Sequence, residues 1–261
     1  MKFSVVMPIH YSDGKFLSTT LPSVYRLEPD EIILVFDKRA VETACVRARY
    51  VHVVETAKAL IRKGGYEKRT RLIEIGDTVN WSSRIAYLRV MGFLAASNRV
   101  ILNTDADTIL DPKIKEDLNL IGHDGIAMIS FRRLEFPLSL QFFVHRLLLV
   151  FHLEESFSPI YAFDKNTWLA TEDFELMRQV PQQSDDVHFH LLISKGHKVL
   201  FKEVRCVHLK PVLTKERKYS EGKALWQVKR NPFWKILARS IVYLDVEFMM
   251  GYIHERWHRK N

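Results

Sequence analysis

An α/β fold is predicted here: a three-layer α/β/α sandwich around a mostly parallel mixed sheet, with a helical extension at the carboxyl end. Three observations predict it. Short β-branched runs alternate with segments whose apolar residues recur at helical spacing. Several runs are apolar at every position, as strands covered on both faces must be. Polar residues capable of chemistry follow those runs directly, where a parallel sheet leaves room for ligands.

Phe3 to Ile9 is the first run, and Tyr11, Ser12, Asp13 and Gly14 after it supply turn chemistry. From Phe16 to Leu27, Leu17, Leu21, Val24 and Tyr25 recur at helical spacing, and Glu31 to Phe36 is a second strand ending at Asp37. Strand, helix, strand in this order is a parallel crossover. A helix over Arg39 to Arg62 ends at Gly64-Gly65, followed by a strand from Arg71 to Ile75. A further helix, Ser82 to Ala96, leads into the strand Arg99 to Asn103, which opens onto Thr104, Asp105, Ala106 and Asp107. Beyond it the sequence predicts strands at Gly125 to Phe131, Ile160 to Phe163 and Lys198 to Phe201, a helix over Asp186 to Ser194, and His208 on a last strand.

The chain has 261 residues and is 47% hydrophobic, enough for one core domain plus an extension. We divide it into a domain over 1–210 and a basic, amphipathic helical extension over 211–261. The net charge of +8 favours anionic partners, which include nucleotide diphosphates and anionic membrane surfaces. Nucleic acid is set aside, because the basic residues belong to no recognition module. Two cysteines, Cys45 and Cys206, are too few for a disulfide framework. With no signal-peptide core and no long uninterrupted apolar run, the expected location is the cytoplasm, peripheral to the inner face of the membrane.

Two carboxylates one residue apart, just past a buried strand, can converge on one hard cation such as Mg²⁺ or Mn²⁺. A loop of solvated aspartates accounts for an isolated Asp-x-Asp, but Val100, Ile101 and Leu102 deliver Asp105 and Asp107 to the ligand edge of the sheet. Asp185-Asp186 and Glu172-Asp173 are further acidic pairs, and each also suits a helix start. His208 reads equally as a hydrogen-bonded structural histidine or a ligand. Arg84 reads as a phosphate contact from the first turn of its helix or as a solvated arginine. His188 and His190 alternate on a predicted helix and are read as structural.

These segments, in order, resemble the family 2-like glycosyltransferases of the GT-A fold, in the nucleotide-diphospho-sugar transferase superfamily. The match runs through Phe3 to Pro8, Leu17 to Val24, Glu31 to Asp37, Arg84, Val100 to Asp107, Ser184 to Asp186, Lys195 to Val199 and His208. It covers roughly residues 1–210 and implies a Rossmann-like domain. It further implies that Pro8 and the His10 loop lie beside the nucleotide, that Asp37 contacts the base, and that Asp105 and Asp107 bind ribose and metal. Asp186, with Asp185 beside it, matches the general base of inverting members, and His208 stands where some members place another metal or diphosphate ligand. Two positions depart from the family's pattern. His10-Tyr11 replaces an Asn-Glu pair, and Asp37 lacks a neighbouring aspartate.

The implied activity is a metal-dependent, inverting hexosyl transfer from a nucleotide-diphosphate sugar, UDP ahead of GDP, to a glycan or lipid-linked acceptor. Two other readings stay open. A sugar nucleotidyltransferase would carry a glycine-rich basic loop after the first strand, whereas His10 to Lys15 offers one glycine and one lysine. The other is a catalytically silent nucleotide-sugar or glycan-binding module on the same fold.

Phe136 to Phe151 is almost wholly apolar and reads as a buried helix, an interfacial helix or an acceptor wall. Lys215, Arg217, Lys218, Lys223, Lys229, Arg230 and Lys235 precede or open an amphipathic segment. That combination suits a membrane-surface anchor, an arm closing over a diphosphate, a helix packed on the domain, or an oligomer contact.

Overall fold

The computed structural model describes residues 1–38, 44–76, 83–133, 160–171, 196–209, 234, 237 and 246–258. Asp185-Asp186, Glu172-Asp173, the Asp186 to Ser194 helix, the Phe136 to Phe151 segment and the Lys215 to Lys235 cluster lie outside the described residues.

Nine strands are described: β1 (Phe3–Ile9), β2 (Glu31–Asp37), β3 (Thr70–Ile75), β4 (Val100–Asn103), β5 (Thr108–Ile109), β6 (Ile126–Arg133), β7 (Tyr161–Asp164), β8 (Lys198–Val204) and β9 (Val207–His208). The helices are α1 (Gly14–Tyr25), α2 (Ala44–Gly64), α3 (Arg84–Ala95), α4 (Ile114–Leu118), α5 (Lys165–Ala170) and α6 (Val246–His258). Seven strands form one sheet in the order β3-β2-β1-β4-β7-β6-β8, with β7 the antiparallel member. β5 and β9 form a separate antiparallel pair.

Alternation along β1 explains why it is apolar on both faces, apart from Ser4 near its start. Val5, Met7 and Ile9 pack with Leu17, Leu21 and Val24 of α1 and with Val53 and Ala57 of α2. Val6 joins the opposite core with Phe93 of α3, Tyr161 and Phe163 of β7, and Trp168 of α5. The sheet is thus the middle of three layers, and its central strands β1, β2, β4 and β7 are buried on both faces.

After β1, β2 and β3 are laid down outward, α3 carries the chain back and β4 pairs on the free side of β1. Strand order reverses between β1 and β4, and ligand crevices form outside the carboxyl ends of strands at such a point.

Close packing of α3 on the sheet depends on Gly92. A Cβ there would lie 2.4 Å from Val6 Cγ1 and 3.0 Å from Val35 Cγ2. Gly92→Val is expected to cost about 2–3 kcal/mol through overpacking, measurable by urea denaturation.

At the opposite edge, Glu31 ties three elements together. Its carboxylate accepts from Ser4 Oγ (2.6 Å), Ser97 N (2.7 Å) and Ser97 Oγ (3.0 Å), and pairs with Arg71 Nη1 at 3.2 Å. Burial pushes the carboxyl upward, but the hydrogen bonds from Ser4, Ser97 and Arg71 outweigh it and hold the group below the usual carboxylate range. Because the folded value is the lower one, this stabilisation is complete above the unfolded-state range and is lost as pH falls through the folded value. Glu31→Gln is therefore expected to cost about 1–3 kcal/mol near neutral pH. The gap from wild type should narrow on acidification, which denaturant melts across pH would record.

Candidate active site

Five segments carry the candidate side chains around the β1/β4 reversal: the turn after β1, the end of β2, helix α3, the turn after β4, and β9. Pro8 lies on β1 beyond the last residue paired with β4, the Val6↔Asn103 register, so its missing N–H removes no ladder bond there. β1 then ends at His10, which opens a 3₁₀ turn over Tyr11–Asp13. The His10 backbone N–H donates to Asp13 Oδ2 at 2.9 Å, and Nδ1 of its ring accepts from Ser12 N at 3.3 Å. Its ring lies 3.9 Å from that of Tyr11. The loop that departs from the family's pattern is thus a self-capped turn.

Asp37 ends β2, and Arg84 opens α3 opposite it. Nε and Nη2 of Arg84 donate to Asp37 Oδ1 at 3.1 and 2.9 Å, and Nη2 also donates to Ile75 O at 2.7 Å. Both side chains are 10% exposed. Arg84 is therefore not a solvated arginine. It is bound to the very carboxylate that the resemblance assigns to the base.

Two of the sequence-predicted residues, Asp105 and Asp107, follow β4, and the structure gives them different partners. Asp105 Oδ1 accepts from Arg89 Nη2 at 2.7 Å, and the arginine side chain is 5% exposed against 25% for the aspartate. Arg89 was not singled out in the sequence. Its signal was a cation within the otherwise apolar row Tyr87, Leu88, Val90 and Phe93 of α3, all of them buried.

Asp107 instead faces His208, with Nε2 of the imidazole 3.3 Å from Oδ1. The β5–β9 pair creates this contact, because Thr108 is in register with His208 and Leu209 N donates to Asp107 O at 2.8 Å. Asp111 anchors the approach to β9. Its Oδ2 accepts from Arg205 N at 2.7 Å, and its Oδ1 accepts from Lys113 N at 3.0 Å ahead of α4. Asp111 therefore both opens the turn into α4 and tethers the strand pair that carries His208. Both cysteines are free thiols, Cys45 exposed and Cys206 buried beneath this segment.

The pair Asp107 and His208 offers a carboxylate oxygen and an imidazole nitrogen on converging atoms. That mixed donor set fits Mn²⁺ better than Mg²⁺, which prefers oxygen throughout. Asp105 is occupied by Arg89. Among the described residues no three His, Cys, Asp or Glu side chains gather as a metal cluster, so the Asp105, Asp107 and His208 trio is not drawn together. The hydroxyls of Thr104 and Thr108 flank the acidic turn, buried and without a hydrogen-bond partner among the described residues. Such groups are costly and concentrate where function holds them.

At the level of sequence, no protein-family model and no curated protein matches the chain. Solved structures do match it. A mannosyltransferase from Pyrobaculum calidifontis, in complex with GDP-Man and Mn²⁺, superposes with a TM-score of 0.59 at 14% identity, over 98% of this chain and 71% of that one. TarS residues 1–349 from S. aureus give 0.53 at 13% identity, over 97% and 72%. A mycobacterial protein gives 0.54 at 14% identity, over 88% and 75%. The mixed, mostly parallel sheet, the reversal beside β1 and these superpositions agree: the chain has the GT-A fold.

Proposed function

We propose that the chain is a metal-dependent glycosyltransferase that moves a sugar from a UDP or GDP donor to a glycan or lipid-linked acceptor. One observation carries the reading: the contact between Asp107 and His208 at the β1/β4 crevice, maintained by the β5–β9 pair. These two residues would hold Mn²⁺ against the donor diphosphate. The metal, when bound, supplies positive charge to a diphosphate leaving group.

The other residues act in their own right. Asp105, oriented by Arg89, offers an acceptor oxygen to the donor ribose. The Asp37 and Arg84 pair, at the end of β2, lines the base side of the crevice. Asp186, outside the described residues, is the proposed base that takes the acceptor proton, with Asp185 beside it and Glu172-Asp173 as the rival pair. In this reading residues 1–210 form the catalytic domain, and the transfer inverts the anomeric centre. The mannosyltransferase neighbour, with its GDP-Man and Mn²⁺, supports a nucleotide-sugar donor.

The test incubates the chain with UDP- and GDP-sugars and Mn²⁺ and follows the released products. A nucleoside diphosphate is the expected product. In a parallel incubation with a nucleoside triphosphate and a sugar phosphate, release of pyrophosphate would instead establish a nucleotidyltransferase. Donor binding without turnover, in both wild type and Asp186→Asn, would establish a silent binding module.

A further inference from the structure

Helix α6 buries one side and leaves a row of apolar residues exposed on the other. Gly251 and Tyr252 are buried, Tyr252 completely. On the opposite side stand Val246 (59% exposed), Met250 (54%), Ile253 (36%) and Trp257 (69%). Spacings of four, three and four residues put these four on one narrow stripe along the helix. Monomeric proteins seldom leave so ordered an apolar stripe in water.

Charge indicates what covers it. Residues 210–261 contain twelve Lys or Arg against five Asp or Glu, so this last fifth of the chain carries seven of the eight net positive charges. The remainder of the chain is close to neutral. Among the described residues no helix is long and apolar enough to cross a bilayer.

We propose that α6 lies along the surface of an anionic phospholipid bilayer, with Val246, Met250, Ile253 and Trp257 inserted between headgroups and the net positive charge of this part of the sequence attracting the anionic surface. An apolar helix face within a strongly basic sequence is the pattern of interfacial helices, and tryptophan favours the headgroup level. Basic residues near an anionic surface strengthen the attachment, an attraction that salt screens. A second copy of the chain fits the same face poorly. It would bring two like-charged tails together, and four side chains a side fall short of the ~1,200 Å² of a stable interface.

The test is co-sedimentation of the full chain, without donor or metal, with vesicles of phosphatidylcholine alone and of phosphatidylcholine mixed with phosphatidylglycerol. Its outcome is therefore independent of the transferase reading. Binding to the anionic vesicles is expected to be at least about tenfold stronger, and to weaken about tenfold on raising salt from about 0.1 to 0.5 M. The double substitution Met250→Ser, Trp257→Ser should lower binding to anionic vesicles about tenfold. Both sites are exposed, so its circular dichroism and melting temperature should match wild type. The proposal is overturned if wild type fails to sediment with either vesicle, binds both equally, or binds as tightly with the double substitution. It is equally overturned by a dimer that the double substitution dissolves without any vesicle binding.

Discussion

Asp107→Ala is expected to lower kcat/KM for glycosyl transfer by about 10³-fold, the largest functional effect of any single substitution in the described site. The residue is buried at the turn after β4, and its carboxylate meets His208 while its carbonyl is held by Leu209. Removing it takes away one of two proposed metal donors and leaves His208 without this partner. His208→Ala should cost less, about 10²-fold, because the carboxylate supplies the charge and the imidazole completes the pair. Since the two act as a unit, the double substitution should be little worse than Asp107→Ala alone. Initial rates across Mn²⁺ concentrations check this. Fully additive losses would mean that the two residues serve separate purposes.

The largest effect on stability is expected at Arg89. Its side chain is 5% exposed and donates to Asp105, so Arg89→Met removes a buried charge whose partner is only one-quarter exposed. Breaking such a pair from one side leaves an aspartate facing an apolar helix, at a cost of about 3 kcal/mol. For a chain of this size that corresponds to a Tm roughly 6–12 °C lower. Asp105→Asn keeps an acceptor for the guanidinium and should cost less. Scanning calorimetry of the two variants reads both values. A Tm unchanged in Arg89→Met would show that the pair contributes nothing to the fold.

The strands β1, β2 and β4 were legible because each is a mainly apolar buried run, and β3 because Leu72, Ile73 and Ile75 follow a helical segment that ends at Gly64-Gly65. Where the ends of these elements are described, the observed bounds differ by no more than two residues. The helix expected over Phe16 to Leu27, for example, is Gly14–Tyr25. The resemblance singled out Asp37, Arg84, Asp105, Asp107 and His208, but their partners were harder to read, because pairing is a property of register. Asp37 and Arg84 are 47 residues apart, and nothing local to either announces the contact. Likewise β5 and β9 are two residues each, too short to show any period, yet they decide that His208 meets Asp107. Glu31 was read as the start of a strand, and its role in joining β1, β3 and α3 needed three further segments. The Asp-x-Asp motif treats its two carboxylates alike. Packing assigns one to a buried arginine and the other to a histidine.

The central claim is a metal-dependent donor site at Asp107 and His208, and calorimetric titration of UDP- and GDP-sugars tests it most directly. Each donor is measured with Mn²⁺ and with chelator, on wild type and on Asp107→Ala. The account predicts that one donor binds wild type only with Mn²⁺ and that the substitution abolishes this binding. Donor binding that is equal with and without metal, or equal in Asp107→Ala, would contradict it.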